Sequence, residues 1–177
     1  MSRRKLYSRR EITSRVRQLA KDIASDSEKG EPLLAVCVIK GAVLFYADLV
    51  RGIKGRDVRF AFVSASSYKT DGERMVSGGT VDMKYCSIPV EEIKGADVLL
   101  VEDIVDTGRT IAALKNYFRE NGAKRVRVAA LLDKPECRKT EIVPDYVAFT
   151  IEGNPYIIGY GLDNAQQFRN LDGIFEI

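Results

Sequence analysis

The sequence predicts an α/β protein, a mostly parallel, twisted sheet flanked by helices. Three observations lead there. Continuous apolar runs such as Leu33–Ile39 and Val98–Val101 are long enough for buried strands and short for helices. Between such runs lie stretches like Ser8–Ser25, whose Ile12, Val16, Leu19 and Ile23 recur at helical spacing. Apolar strands alternating with helices give a parallel sheet covered on both faces. The 177 residues fit a single domain, 1–177, that can bury one core without staples.

The elements follow in chain order. Ser8–Ser25 is the first helix, and the breaker Lys29-Gly30-Glu31-Pro32 ends it. Leu33–Ile39 is a buried strand. Beyond Gly41, Ala42–Val50 reads as a helix closed near Gly52, and Asp57–Ser64 as a strand. Ser66–Gly79 is polar and glycine-rich, which predicts a long loop, functional or disordered. Thr80–Ile88 is a short strand, Lys94-Gly95-Ala96-Asp97 a turn, and Val98–Val101 another strand. Thr110–Asn121 is a helix closed by Gly122, followed by the strand Arg125–Leu132. Tyr146–Thr150 and Tyr156–Gly159 are the last strands, with a turn at Gly153-Asn154-Pro155.

Composition narrows the chemistry. Apolar residues at 45% and charged residues at 30% are ordinary for a soluble globular chain. A net charge of +3 is too small to demand a nucleic-acid partner. Its excess lies in Arg3, Arg4, Lys5, Arg9 and Arg10, read as a solvated arm or helix face. No apolar run approaches the ~20 residues of a membrane span, and the basic N-terminus lacks the apolar core of a secretory signal. Cys37, Cys86 and Cys137 are odd in number and far apart, which argues against a disulfide framework and a zinc site. A reduced, cytoplasmic setting is therefore expected. The sequence contains no histidine. Acid–base work falls to Asp, Glu, Lys, Tyr or Cys, and any metal is a hard ion on oxygen ligands, Mg²⁺ or a close relative.

In parallel sheets ligands bind beyond the carboxyl ends of the strands. There the segment Val98–Thr110 carries three carboxylates in a set pattern. Glu102 and Asp103 sit at the strand end, placed to accept hydrogen bonds from sugar hydroxyls and to face a developing cation. Asp106 comes three residues later, between sugar and phosphate. Thr107-Gly108-Arg109-Thr110 then opens a helix, and its free amides and hydroxyls favour a phosphate. Helix capping alone accounts for Asp106 or Thr107, but not for the acidic pair just before them. The segment is not a P-loop, because no Gly-Lys-Ser/Thr is present.

The segment resembles the phosphoribosyl-pyrophosphate motif of type I phosphoribosyltransferases, and Glu102-Asp103-Ile104-Val105-Asp106-Thr107-Gly108 resembles their hypoxanthine–guanine branch. The likeness spans nearly the whole chain. Val38-Ile39-Lys40-Gly41 matches the family's Lys-Gly loop, Ser67-Tyr68 the start of its mobile loop, and Leu131-Leu132-Asp133-Lys134 its lysine strand. Tyr156–Asp163 with Phe168-Arg169 matches its C-terminal hood. The resemblance implies a core over about 30–150, a mobile loop over 66–80, and a small purine-binding hood from the chain termini, chiefly 151–177. It implies transfer of a phosphoribosyl group to a 6-oxopurine, hypoxanthine or guanine, with release of pyrophosphate.

The resemblance also implies the roles. Asp106 is the acid–base group. Thr107, Gly108, Arg109 and Thr110 hold the 5′-phosphate, and Glu102 and Asp103 the ribose. Lys40, Gly41 and Arg169 face pyrophosphate, Ser67 and Tyr68 lead a lid, and relatives often carry a cis peptide at the Lys40–Gly41 step. Lys134 contacts the purine 6-oxo group, Tyr156 stacks on the base in place of the commoner Phe, and Ile157 offers its backbone. Asp163, with Glu102 and Asp103, serves Mg²⁺. A homodimer or homotetramer is implied. Two rivals stay open: another acceptor, such as xanthine, orotate, uracil or adenine, and a nucleotide-sensing regulator that binds nucleic acid. An amino group at the purine 6-position sets donor against donor at Lys134, which disfavours adenine. The acid at position 106 disfavours the regulator.

Overall fold

The computed structural model describes residues 3–26, 30–71 and 74–177, and only the backbone at 66–71 and 74–82. Its elements are β1 (Arg4–Tyr7), α1 (Arg9–Ser25), β2 (Leu33–Val38), α2 (Val43–Gly52), β3 (Val58–Asp71) and β4 (Arg74–Cys86). They continue with β5 (Asp97–Val105), α3 (Arg109–Glu120), β6 (Arg125–Asp133), β7 (Tyr146–Thr150), β8 (Ile157–Ile158) and β9 (Ile174–Glu176).

Six strands form the main sheet in the order β4-β3-β2-β5-β6-β7. All neighbours run parallel except β3 and β4. Every side chain of β2 is buried, as a central strand covered on both faces requires. Its alternation divides the core. Leu33, Ala35 and Cys37 join the cluster under α1 and α2, and Leu34, Val36 and Val38 join the cluster under α3. The helix α1 starts at a capping box. The Ser8 amide donates to the Glu11 carboxylate (2.8 Å) and the Glu11 amide to Ser8 Oγ (3.4 Å). It buries the expected stripe of Ile12, Val16, Leu19 and Ile23.

The strand order reverses between β2 and β5, so the connections leaving their carboxyl ends turn to opposite faces and leave a crevice. At the other end of the sheet, Asp97 opens β5 where the sequence predicted a turn. Its carboxylate accepts from Arg56 (2.7 Å), Arg125 (3.0 Å) and Arg127 (2.7 Å).

Three expectations change. The predicted loop Ser66–Gly79 is instead strand over its described residues. Tyr68 pairs with Ser77 and Asp71 with Arg74 in an antiparallel ribbon, while residues 72 and 73 lie outside the described ones. The basic N-terminus is not a solvated arm throughout. Arg4–Tyr7 pairs antiparallel with β9, and β9 with β8, in a separate three-stranded sheet that unites the chain's two ends. Arg4 pairs with Glu176 across it (Nε to Oε2, 2.8 Å), and the Arg3 guanidinium lies 4.5 Å from the Phe168 ring centre. Arg9 and Arg10 do lie exposed on the first turn of α1. The cis peptide is Ile39–Lys40, one bond before the expected step.

Candidate active site

The crevice at the carboxyl ends of β2 and β5 holds a cavity of about 330 Å³. Its walls are the Lys40–Gly41 turn after β2, Glu102–Gly108 from β5 onward, Thr110 of α3, Lys134 after β6, and Asp163 and Arg169 from the C-terminal region. Segments up to 129 positions apart in sequence, Lys40 and Arg169, thus meet around one space. Arg109, Tyr156 and Ile157 do not line it. Arg109 is half-buried at the start of α3, its amide directed to Thr107 Oγ1 at 3.4 Å. Tyr156 is 54% exposed, with its hydroxyl 3.5 Å from the Asp163 carbonyl, and Ile157 is buried in β8. The side chains of Ser67 and Tyr68 lie outside the described residues.

The acidic pair is costly to maintain. Burial first, and then the adjacent Asp103 charge, hold the Glu102 carboxyl well above the usual carboxylate range. Its Oε2 is buried without a hydrogen-bond partner among the described residues. Burial pushes the Asp103 carboxyl up to about 6, against the downward pull of the Ile104 amide and the Arg169 guanidinium. A buried carboxylate oxygen with unused acceptor capacity needs a hydroxyl donor or a cation. Sugar hydroxyls and a hard divalent ion both meet that need.

Backbone geometry is tight where the walls meet. A Cβ placed on Gly41 would lie 1.5 Å from Asp103 Oδ2, and one on Gly161 would lie 2.1 Å from the Gly41 carbonyl oxygen. Gly41→Ala therefore displaces the Asp103 carboxylate. We expect it to weaken donor binding by about tenfold or more, on the scale of a lost charged hydrogen bond, with the thermal midpoint as a folding control. Donor affinity equal to that of the parent would contradict the packing.

The loop between β6 and β7 backs the loop between β5 and α3. The Lys134 amide donates to the Val105 carbonyl (3.0 Å) and the Lys139 amide to the Thr107 carbonyl (2.9 Å). Arg138 donates from Nε to the Asp106 carbonyl (3.0 Å) and from Nη2 to the Val105 carbonyl (3.3 Å). It also bonds the Ile142 carbonyl and the Asp133 carboxylate. The Lys134 ammonium donates to Asn154 Oδ1 (2.9 Å) and the Pro155 carbonyl (2.8 Å). Arg169 pairs with Asp163 (2.7 Å), whose other oxygen accepts from the Gln166 amide (2.7 Å). Arg138 and Asn154 were missed from sequence, since the partners that tie them to the site, the Asp106 carbonyl and the Lys134 ammonium, lie 32 and 20 positions away.

Among the described residues, no three acidic or thiol side chains converge to cage a metal. Glu102, Asp103 and Asp163 share the cavity but do not form a common ligand set. Mg²⁺ bound chiefly through water and substrate phosphates needs only one or two carboxylates, and the open acceptor on Glu102 fits that arrangement.

A sheet with its strand-order reversal beside an acidic pair and an amide-rich loop defines a sugar-phosphate-binding α/β enzyme class. Comparison with known proteins narrows the class. The Phosphoribosyl transferase domain matches residues 2–164. A hypoxanthine-guanine phosphoribosyltransferase of Streptococcus thermophilus is 39% identical over 94% of this chain and 88% of its own length. That of Bacillus subtilis is 38% identical over the same shares. A crystal structure of a hypoxanthine-guanine phosphoribosyltransferase from Bacillus anthracis superposes with a TM-score of 0.86 at 38% identity, covering 98% of this chain and 97% of its own. The chain belongs to the phosphoribosyltransferase family, on the branch of its hypoxanthine–guanine members.

Proposed function

We propose that the chain transfers the 5-phosphoribosyl group from phosphoribosyl pyrophosphate to hypoxanthine or guanine, forming the purine nucleotide and pyrophosphate in purine salvage. The observation that carries the reading is the meeting of the acidic pair, the Asp106–Thr110 loop and Lys134 around one cavity. Membership of the hypoxanthine–guanine branch supports it.

Each residue then has a task. The amides of Thr107, Gly108, Arg109 and Thr110, at the N-terminus of α3, hold the 5′-phosphate. Glu102 and Asp103 accept from the ribose hydroxyls and stabilise positive charge at the anomeric carbon. Lys40, Gly41 and Arg169 face the pyrophosphate, and Ser67 and Tyr68, within β3, lead the cover over it. The C1′–oxygen bond breaks as the purine nitrogen forms its bond to C1′, and the purine proton passes to Asp106. Glu102 and Asp103 would hold a Mg²⁺ ion, which would supply charge neutralisation for the departing pyrophosphate. Asp163, engaged by Arg169 and the Gln166 amide, would be the further carboxylate available to that ion.

Lys134 reads the base. Two of its three ammonium protons are directed to Asn154 and Pro155, and the third remains for a 6-oxo acceptor. Tyr156 covers the base face from its exposed position, and the Ile157 backbone meets the purine edge. The reading places the enzyme in the cytoplasm; no helix of the described residues is long and apolar enough to cross a membrane. A homodimer or homotetramer is the assembly this reading expects.

The test is a panel of initial rates with the sugar donor, Mg²⁺ and each base. Hypoxanthine and guanine should exceed adenine by about 10²-fold or more, the scale for a mismatched hydrogen-bonding site. Excess chelator should stop turnover. Adenine outpacing both 6-oxopurines, or turnover indifferent to chelator, would sink the respective assignment.

A further inference from the structure

We propose that Arg138 is a positioning residue that aims the Asp106–Thr110 loop at the sugar donor. The proposal deepens the reading above and rests on it. In a trans peptide plane the carbonyl and the following amide point in opposite directions. Holding the carbonyl of Val105, Asp106 or Thr107 from behind therefore fixes the amide of Asp106, Thr107 or Gly108 on the opposite side. The residues at 105–108 line the cavity. Backbone amides of Lys134 and Lys139 hold the Val105 and Thr107 carbonyls. At Asp106 the donor is Arg138 Nε (3.0 Å), with Nη2 also reaching the Val105 carbonyl (3.3 Å).

The arginine is itself anchored. Its guanidinium pairs with Asp133 at the end of β6, and both side chains are 13% exposed. Its stem lies against the glycine that caps α3. A Cβ on Gly108 would lie 2.8 Å from Arg138 Cδ, and Gly108 has φ of +79°, which glycine alone adopts freely. Carboxylate, carbonyls and loop glycine thus meet one planar group. A lysine ammonium, with its donors on one nitrogen, cannot span these acceptors. Because Asp133 immediately precedes Lys134, the same guanidinium ties the phosphate loop to the strand that presents the base-reading lysine.

Arg138→Ala and Arg138→Lys test the role in the full-length enzyme. We expect kcat/KM for the sugar donor to fall about 10- to 10²-fold in both, the cost of a misplacement on the ångström scale. Calorimetric binding of ribose 5-phosphate, which needs no acceptor base, should weaken by about tenfold or more on the same grounds. Guanidinium chloride at millimolar concentration should restore part of the Arg138→Ala activity, where sodium chloride does not. A folded variant with donor kcat/KM and ribose 5-phosphate affinity within about twofold of the parent, well short of that misplacement cost, would overturn the proposal. Should the alanine variant not fold, the lysine variant decides by the same readouts. A parent inactive with every 6-oxopurine would refute the function while leaving the ribose 5-phosphate comparison able to judge Arg138.

Discussion

Asp106→Asn should fold normally and turn over at least about 10²-fold more slowly, the usual scale of acid–base catalysis. The substitution keeps the size of the side chain and removes its ability to take a proton. Asp106 lines the cavity between the acidic pair and the amides of the loop. Its carbonyl is held from behind by Arg138, so the backbone at this position does not depend on the carboxylate. Donor affinity should therefore be largely retained, and the loss should appear in kcat and kcat/KM together. No histidine exists in the chain to substitute for it. Saturating initial rates, with ribose 5-phosphate binding by calorimetry as the control, make the measurement. Parent-like turnover would remove Asp106 from the chemistry.

The second large effect is on stability, at the opposite end of the sheet. Asp97 is 2% exposed and accepts from three guanidiniums, those of Arg56, Arg125 and Arg127. Asp97→Ala leaves these charges clustered without the carboxylate between them. Removing one member of a buried ion-paired group costs about 3–5 kcal/mol. For a chain of this length that lowers the thermal midpoint by roughly 6–20 °C. Burial raises the Asp97 carboxyl, but the Arg125 and Arg56 hydrogen bonds outweigh it and hold the group below its usual value. A depressed folded value means that the contribution is complete above the unfolded value and disappears as pH falls through the folded one. The parent should therefore lose this stability only in acid, and the gap between parent and variant should narrow there. Calorimetric scans from neutral to acid pH check both the size and the trend. A midpoint unchanged at neutral pH would contradict the buried-pair argument.

Much of the main sheet was legible because its signals are local. The runs at Leu33–Val38 and Val98–Val101 are apolar beyond what a one-faced strand needs, and both are central strands. The acidic pair and the loop after it were readable for the same reason, since 13 consecutive residues from Val98 to Thr110 carry the pattern. The ribbon of β3 and β4 was not. Its polar, glycine-rich residues carry no burial signal, and only pairing with the other strand makes them extended. β1 was read as charge, since Arg4 and Lys5 are exposed and its partner strand lies about 170 residues away, a separation no local pattern records. Arg138 and Asp97 belong to the same class. Their importance lies in what surrounds them in space, and nothing in their neighbours along the chain announces it.

The two sheets also carry unequal shares of the two substrates. Most residues proposed for the sugar donor hang on strand ends of the six-stranded sheet, with Asp163 and Arg169 added from the connection between β8 and β9, whereas Tyr156 precedes and Ile157 opens β8 of the small sheet that joins the chain's ends. Drift in the small sheet can retune which base is accepted while the donor half, bound by tight glycine contacts and buried charge, stays under stricter constraint. Variation within such a lineage should accordingly accumulate around Tyr156 and Ile157 and spare the strand ends that face the donor, and a designer seeking a new acceptor can begin a library there.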